Sequence, residues 1–397
     1  MDASFFSKNR QMLLAGLDED TVVVLGAYSR MQLTGDAAAP FRQESNFWYY
    51  TGIEMPDYRV IMTRDTVWLI APDASETHRL FDGAISHEEA IRKSGADFVV
   101  GTIEGREVLS RLSRTAKGVH SLGHDPYRKY YSFSENPAPG RLWRELGSIF
   151  SERIDLRKTM ARQRAIKQPM EVDAIRRAVD CTVGAFKSVG QALRTISYEY
   201  EIEALFSYEF RRQNADHAYQ PIVAGAKNAC TLHYDANSDA LAQSSLVLID
   251  VGARVEGYAA DMTRTYEIGD GTARQRAVYE AVKRAHEEII TRIRPGVTFV
   301  EYQRWTDEIM QECLRSLELL QSPDDYRRYF PHAISHGLGV DVHDSLGGYD
   351  IFTAGMVVTV EPGVYIPEEG IGVRLEDDIL VTNTGVENLS AGLSLSL

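Results

Sequence analysis

VTVEPGVYIPEEGIGVRLEDD, residues 358–378, reads as two β-branched, strand-like runs joined at PEEG, where Pro367 and Gly370 suit a turn. Residues equidistant from a hairpin turn face each other. The midpoint of Glu361 and Glu376 falls between Glu368 and Glu369, inside that turn. The two glutamates are therefore expected directly across a ladder, with Cβ atoms about 4.5–5.5 Å apart. Upstream, LIDVGARVEGYAADMTRTY, residues 248–266, repeats the arrangement with Asp250 and Asp261. Their midpoint lies between Val255 and Glu256, beside Gly257, and the same facing pair is expected there. Like charges placed opposite each other destabilise a ladder. One such pair is easily accidental; two, each with turn chemistry at its centre, ask for a cation between the strands.

HAISHGLGVDVHD, residues 332–344, supplies histidines 332, 336 and 343 just ahead of the second hairpin, and Gly337 and Gly339 leave backbone room beside His336. Taken singly, a strand-end Asp is usually a turn or cap residue, a lone His a surface or satisfied core residue, and Glu376 in LEDD a solvated edge. Taken together, Asp250, Asp261, His336, Glu361 and Glu376 read as the ligands of two divalent cations. Four carboxylates carry about four negative charges, which two such ions balance. Oxygen-rich ligation with a single imidazole suits Mn²⁺ best and also accommodates Zn²⁺ or Co²⁺.

The flanking segments repeat as well. Pro169 marks a helix start, and Ile175, Val179, Val183 and Phe186 then share one face; a second helix carries Ile202, Leu205, Phe206 and Phe210. An extended segment, PIVAGAKNACTLHY (221–234), leads into the aspartate strands. A helix with Val278, Val282, Ala285, Ile289 and Ile293 on one face stops at Pro295-Gly296. Another carries Tyr302, Trp305, Ile309, Cys313 and Leu317, and the glutamate strands follow. Helix, helix and acidic hairpin thus occur twice, about 110 residues apart, without residue-level identity. Two similar halves are expected, each giving one acidic pair to a shared cleft.

A boundary near Leu156 separates this region, 156–397, from a mixed α/β unit over 1–155. There Thr21–Gly26 reads as a buried strand, 60–72 as a hairpin, HEEAIRKSG as a helix and DFVVG as a strand. The aromatic cluster FRQESNFWYYTG (41–52) reads first as core, with a subunit contact or a lip over the cleft as the alternative. The 397 residues, 44% apolar and 25% charged, are ordinary for a soluble globular chain and long enough for two cores. A net charge of −14 disfavours nucleic acid, whose phosphates need clustered Lys and Arg. No stretch approaches the ~20 apolar residues of a membrane span, and no leader-like segment opens the chain. Cys181, Cys230 and Cys313 are widely spaced without a CxxC pair, which suits a reducing cytoplasm.

LHY at 232–234, DVG…ADMTRTY ending at Tyr266, HAISHGLGVDVHD, TVEPGVY at 359–365 and GVRLEDDILVT at 372–382 together resemble the pita-bread metallopeptidases, in the proline-directed branch of aminopeptidase P and prolidase. FRQESNFWYYTGI extends the likeness to an aminopeptidase P-type first domain. The resemblance implies an α/β (α+β) fold with a pita-bread catalytic domain over 156–397 and a smaller, creatinase-like mixed α/β domain over 1–155. It implies that Asp250 ligates one metal, that His336 and Glu361 ligate the other, and that Asp261 and Glu376 bridge them. Glu361 would also be the general base toward the bridging water. His233 and His343 would stabilise charge at the scissile carbonyl, and His332 and Arg374 match positions typical of the proline-directed branch. The implied reaction is hydrolysis of the Xaa–Pro bond at the N-terminus of a peptide, by a cytoplasmic homodimer or homotetramer. A dipeptide-restricted prolidase is the alternative. An inactive peptide-binding scaffold is the remote one, disfavoured because every ligand position is filled.

Overall fold

The computed structural model describes the chain apart from residues 126–128, 130–131, 243–244 and 397. Two compact units divide it, Met1–Gln163 and Arg164–Leu397, with the division inside the helix Arg157–Ala165. Among the described residues no helix is long and apolar enough to cross a membrane.

In the first unit six short strands form one mixed sheet, in the spatial order Phe98–Val100, Val67–Ile70, Arg59–Met62, Val22–Gly26, Val119–Ser121, Arg153–Asp155. The β-branched run at 22–25 is buried throughout, as a central strand covered on both faces must be. The hairpin expected over 60–72 forms, with Val60 opposite Leu69 and Met62 opposite Val67. The helices Thr102–Leu112 and Pro137–Ile149 close one face through Val108, Leu109, Leu142 and Leu146. The aromatic run becomes the helix Ser45–Thr51, whose start is capped by the Glu44 carboxylate accepting from the Phe47 amide at 2.6 Å. Phe47, Trp48, Tyr49 and Tyr50 are all buried, with Trp48 and Tyr49 edge-on to Phe6 and Phe5. Those four rings belong to the unit's own core, so the alternative of a subunit contact or lip falls for them.

In the second unit the two halves carry the helix pairs Pro169–Ala192 with Glu199–Arg211, and Ala273–Ile290 with Phe299–Ser316. Pro169 takes a first-turn position that needs no N–H, and Glu171 reaches back to the Gln168 amide at 2.9 Å. Thr272 with Gln275, and Thr298 with Glu301, close the same kind of box. Ile293 and Leu317 lie beyond their helices yet stay buried in the loops that follow. The segment expected to be extended over 221–234 is a strand only at Ile222–Gly225; a 3₁₀ turn, Ala226–Cys230, comes next.

Each acidic hairpin is two short ladders in one register, interrupted at Glu361 and Glu376 in the second and at Asp261 in the first. In the second, Val360 pairs with Asp377 on one side of the interruption and Gly363 with Arg374 on the other, so Glu361 faces Glu376 as the turn chemistry predicts. The first hairpin differs from expectation. Its turn is Glu256-Gly257, with φ of 48° and 87°, and this puts Val255 opposite Tyr258 and Asp250 opposite Thr263. A two-residue turn with a glycine second sets the register; the midpoint between the two acids was the wrong guide. Asp261 is therefore a diagonal neighbour of Asp250. An offset of two residues keeps both side chains on one face, where an offset of one would have separated them. The hairpins meet at Thr263 and Glu376, the Glu376 amide donating to the Thr263 carbonyl at 3.0 Å.

Candidate active site

Asp250, Asp261, Glu361 and Glu376 from the two hairpins, His332, His336 and His343 from the preceding loop, His233 and Arg374 all line one cavity of about 280 Å³ in the second unit. Three overlapping groups have ligand atoms within 4.8 Å of one another: Asp250, Asp261 and Glu376; His336, Glu361 and Glu376; Asp261, His336 and His343. The offset in the first hairpin thus does not keep its aspartates apart, because they converge on the second hairpin's glutamates.

The electrostatics of this cluster are those of too much negative charge in too little water. Burial is the largest cause in each case. It raises the Asp250 carboxyl, against the pull of Arg374. It lifts Glu361 to about 7, partly opposed by His336. It pushes Glu376 well above the usual carboxylate range, with Asp261 and Glu361 adding to the effect. The Tyr219 hydroxyl lies 2.6 Å from both Asp250 Oδ1 and Asp261 Oδ1. A phenol has one proton to give, so both contacts close when a carboxyl shares a second. Behind Asp261, the buried Asp378 accepts from the Asp261 amide at 3.1 Å, while its other oxygen has no hydrogen-bond partner. A cation among these groups opposes each of these upward shifts, because its charge favours the ionised carboxylates that burial disfavours. Hard oxygens with one or two imidazoles are also the donor set that divalent metals take. The residues present fit a metal centre.

Neighbouring groups orient the donors. His336 Nδ1 lies 3.0 Å from the Gly337 carbonyl, which can only accept, so Nδ1 carries the hydrogen. That leaves Nε2 facing Asp261 Oδ2 at 3.4 Å and Glu361 Oε1 at 3.5 Å, the orientation a ligating imidazole needs. Burial opposes protonation of His336, but Asp261 and Glu361 outweigh it and hold its pKa near 9. His332 is the reverse case. Burial, then Arg374, depress it to about 3, and it stays neutral. Its Nδ1 donates to the Ala333 carbonyl at 2.7 Å and its Nε2 accepts from the Tyr365 hydroxyl at 2.8 Å. Arg374 completes this relay, donating to Tyr365 at 2.9 Å, to Thr263 Oγ1 at 3.1 Å and to Asp250.

The loop with His336 and His343 is tied from below. Asp344 binds Arg164 at 3.0 Å and Lys167 at 3.6 Å, all three buried. A Cβ on Gly337 would stand 2.4 Å from the Asp344 carbonyl oxygen, so the room beside His336 is taken up by the loop's own return. The His343 ring packs 4.3 Å, centroid to centroid, from His336.

Sequence reasoning missed Tyr219, Thr263 and Asp378. Tyr219 lies 31 and 42 residues before the aspartates it joins, and nothing local marks it. Thr263 was within reach, since a correct register puts it opposite Asp250.

Residues 173–383 match metallopeptidase family M24, and residues 6–120 match the aminopeptidase P N-terminal domain. The chain belongs to metallopeptidase family M24, in its aminopeptidase P branch. It is 32% identical to a Xaa-Pro aminopeptidase of Escherichia coli, the match covering 98% of this chain and 94% of that protein. Aminopeptidase P from E. coli with the inhibitor Pro-Leu superposes with a TM-score of 0.88 at 29% identity, over 99% of this chain and 96% of that one. Its zinc-substituted form in complex with product gives a TM-score of 0.87 at 29% identity, with the same coverage. The two units are accordingly an aminopeptidase P-type N-terminal domain and a pita-bread domain.

Proposed function

We infer that the protein is a metal-dependent Xaa-Pro aminopeptidase, which hydrolyses the bond between the first residue of a peptide and a proline in second position. The observation that carries this reading is the convergence of four carboxylates and His336 in one cavity, with His233, His332 and His343 around them. The likeness to Xaa-Pro aminopeptidases over nearly the whole chain supports the substrate class.

Two divalent ions, Mn²⁺ best by donor chemistry, with Zn²⁺ or Co²⁺ as substitutes, would be held by Asp250 and Asp261 on one side and by His336 and Glu361 on the other, with Asp261 and Glu376 shared. The overlap of the three ligand groups at Asp261, His336 and Glu376 favours two ions over one. When bound, such ions supply a nucleophilic hydroxide at neutral pH by lowering the pKa of water from about 15.7 toward 7. Glu361 would take the proton that the attacking water gives up and pass it to the proline nitrogen as the bond to that nitrogen breaks. His233 and His343 donate hydrogen bonds toward the carbonyl oxygen as charge develops there, and losing one such donor often costs ~10²–10³ in rate. An Xaa–Pro bond has no N–H, so the site needs no acceptor for one. An assembly of two or four chains is part of the proposal, by resemblance.

Arg374 serves either reading: three of its five N–H donors go to Thr263, Tyr365 and Asp250, and it lines the cavity, so the products decide between an aminopeptidase and a dipeptide-restricted prolidase. The test is mass spectrometry of products from Ala-Pro and Ala-Pro-Ala with Mn²⁺-loaded protein and a chelated control. Alanine release from the tripeptide, abolished by chelation, is expected. Cleavage of the dipeptide alone would make the protein a prolidase. No cleavage of either, with metal bound, would overturn the reading in favour of a peptide-binding scaffold.

A further inference from the structure

Glu199 opens the helix Glu199–Arg211 and is fully buried. Its Oε1 accepts from the Gly225 amide at 2.7 Å and from the Asn228 side-chain amide at 3.0 Å. Its Oε2 accepts from the Tyr234 hydroxyl and from the Asp239 amide, both at 2.8 Å. The four donors are spread along residues 225–239, the segment that brings Leu232, His233 and Asp235 to the cavity. Beyond its 3₁₀ turn this segment has no regular structure until it meets Tyr198 at Ala240, and Ala226 and Asn237 hold φ of 48° and 44°. Among the described residues the His233 imidazole makes no hydrogen bond of its own. Its place is set by the backbone around it, which Glu199 holds at four points and Asn237 ties near its end to Val223, Pro221 and Glu203.

We propose that Glu199 is a positioning residue for the peptidase reaction, anchoring the 225–239 segment so that His233 stands in the cavity. The proposal rests on the aminopeptidase reading above. A carboxylate is the one side chain of this size with acceptor sites for four donors. A glutamine cannot replace it. Its NH₂ would confront either the Asp239 amide or, once flipped, the Gly225 amide, so one end of the segment comes loose in either orientation. Displacing a group by about 1 Å from its working position can cost 10²-fold in rate. His233 is assigned to charge that develops during the reaction, so the loss falls on kcat rather than KM.

The experiment is a double-mutant cycle on the metal-loaded protein with Ala-Pro-Ala, using Glu199→Gln, Tyr234→Phe, His233→Ala and the pair Glu199→Gln/His233→Ala. Glu199→Gln is expected to lower kcat about tenfold or more with KM nearly unchanged. Tyr234→Phe, which removes one bond of the four and leaves the anchor in place, should lower it less. In the His233→Ala background the Glu199→Gln substitution should change kcat by less than about twofold. A full penalty persisting without His233 would overturn the proposal, because the carboxylate would then act through something else. The His233 ring resonance in NMR gives a second readout, independent of turnover. It should shift in both Glu199→Gln and Tyr234→Phe while His286, buried in another part of the unit, stays put; an unmoved His233 signal also overturns the proposal. If the wild-type protein cleaves nothing, the aminopeptidase reading fails, and the resonance still decides whether Glu199 places His233.

Discussion

Thr263 stands where the two acidic hairpins meet, and replacing it with valine probes the site without touching a proposed ligand. Its hydroxyl donates to Glu376 Oε2 at 2.7 Å and accepts from Arg374 Nε at 3.1 Å, fully buried. Thr263→Val keeps the shape and deletes both contacts. With a cation bound, Glu376 is ionised, and a hydrogen bond to a charged group contributes about 1.5–3 kcal/mol. In the metal-free chain, burial and the neighbouring carboxylates raise the Glu376 carboxyl well above its usual range and favour its protonated form. The same contact is then an ordinary neutral bond of about 0.5–1.5 kcal/mol. The difference, roughly 1–2 kcal/mol, corresponds to metal binding about 5–30-fold weaker. Arg374 Nε loses its acceptor whether or not metal is present, so that loss, about 1–3 kcal/mol, appears in thermal stability instead. Competitive titration against a calibrated chelator measures the affinity, and circular dichroism confirms the fold. Affinity within about twofold of wild type, alongside a lowered melting temperature, would refute the argument that Thr263 supports an ionised Glu376.

Asp261→Ala removes a carboxylate shared by two of the ligand groups; it should purify with little metal and no measurable turnover, and a variant that keeps two ions by elemental analysis and cleaves peptide would sink the ligand assignment. In the metal-free protein Glu361, whose pKa of about 7 stands above the usual 4.5, makes stability fall with pH, while His332, depressed to about 3, works the other way below about pH 6.5. Between the two Glu361 values the folded state binds more protons there than the unfolded state, so its stabilisation is fully present below about pH 4.5 and is lost as pH rises through about 7. The melting temperature of the metal-free protein relative to metal-free Glu361→Gln should therefore fall across that window, and metal should flatten the difference; a difference that rises with pH would contradict the assignment. Asp344→Ala leaves Arg164 and Lys167 buried beneath the His336–His343 loop with a partner removed. A loss of about 3 kcal/mol in urea denaturation is expected, as for other broken buried pairs; a loss under about 0.5 kcal/mol would show that the loop does not depend on this cluster.

Much of this is legible in the sequence. Alternating β-branched runs around a Pro–Gly turn placed Glu361 opposite Glu376, because in a tight hairpin the turn alone sets which residues face each other. The helix start at Pro169 was marked by its own local chemistry, and buried stripes by a period of 3.6 residues. The first hairpin was misread by two residues, since symmetry between the acids was weighted above the glycine of the turn. The side-chain face survived the error because the pleat repeats every two residues.

Local pattern thus sufficed for what depends on neighbours in the chain: strands, caps, turns and the chemical types assembled for a metal centre. It did not reach the contacts made by folding. The Tyr219 hydroxyl between two aspartates, the Thr263 bond that joins the hairpins and the four donors gathered by Glu199 all span 26 residues or more. Each is a hydrogen bond whose partner is chosen by packing, and packing brings together residues that no spacing along the chain relates.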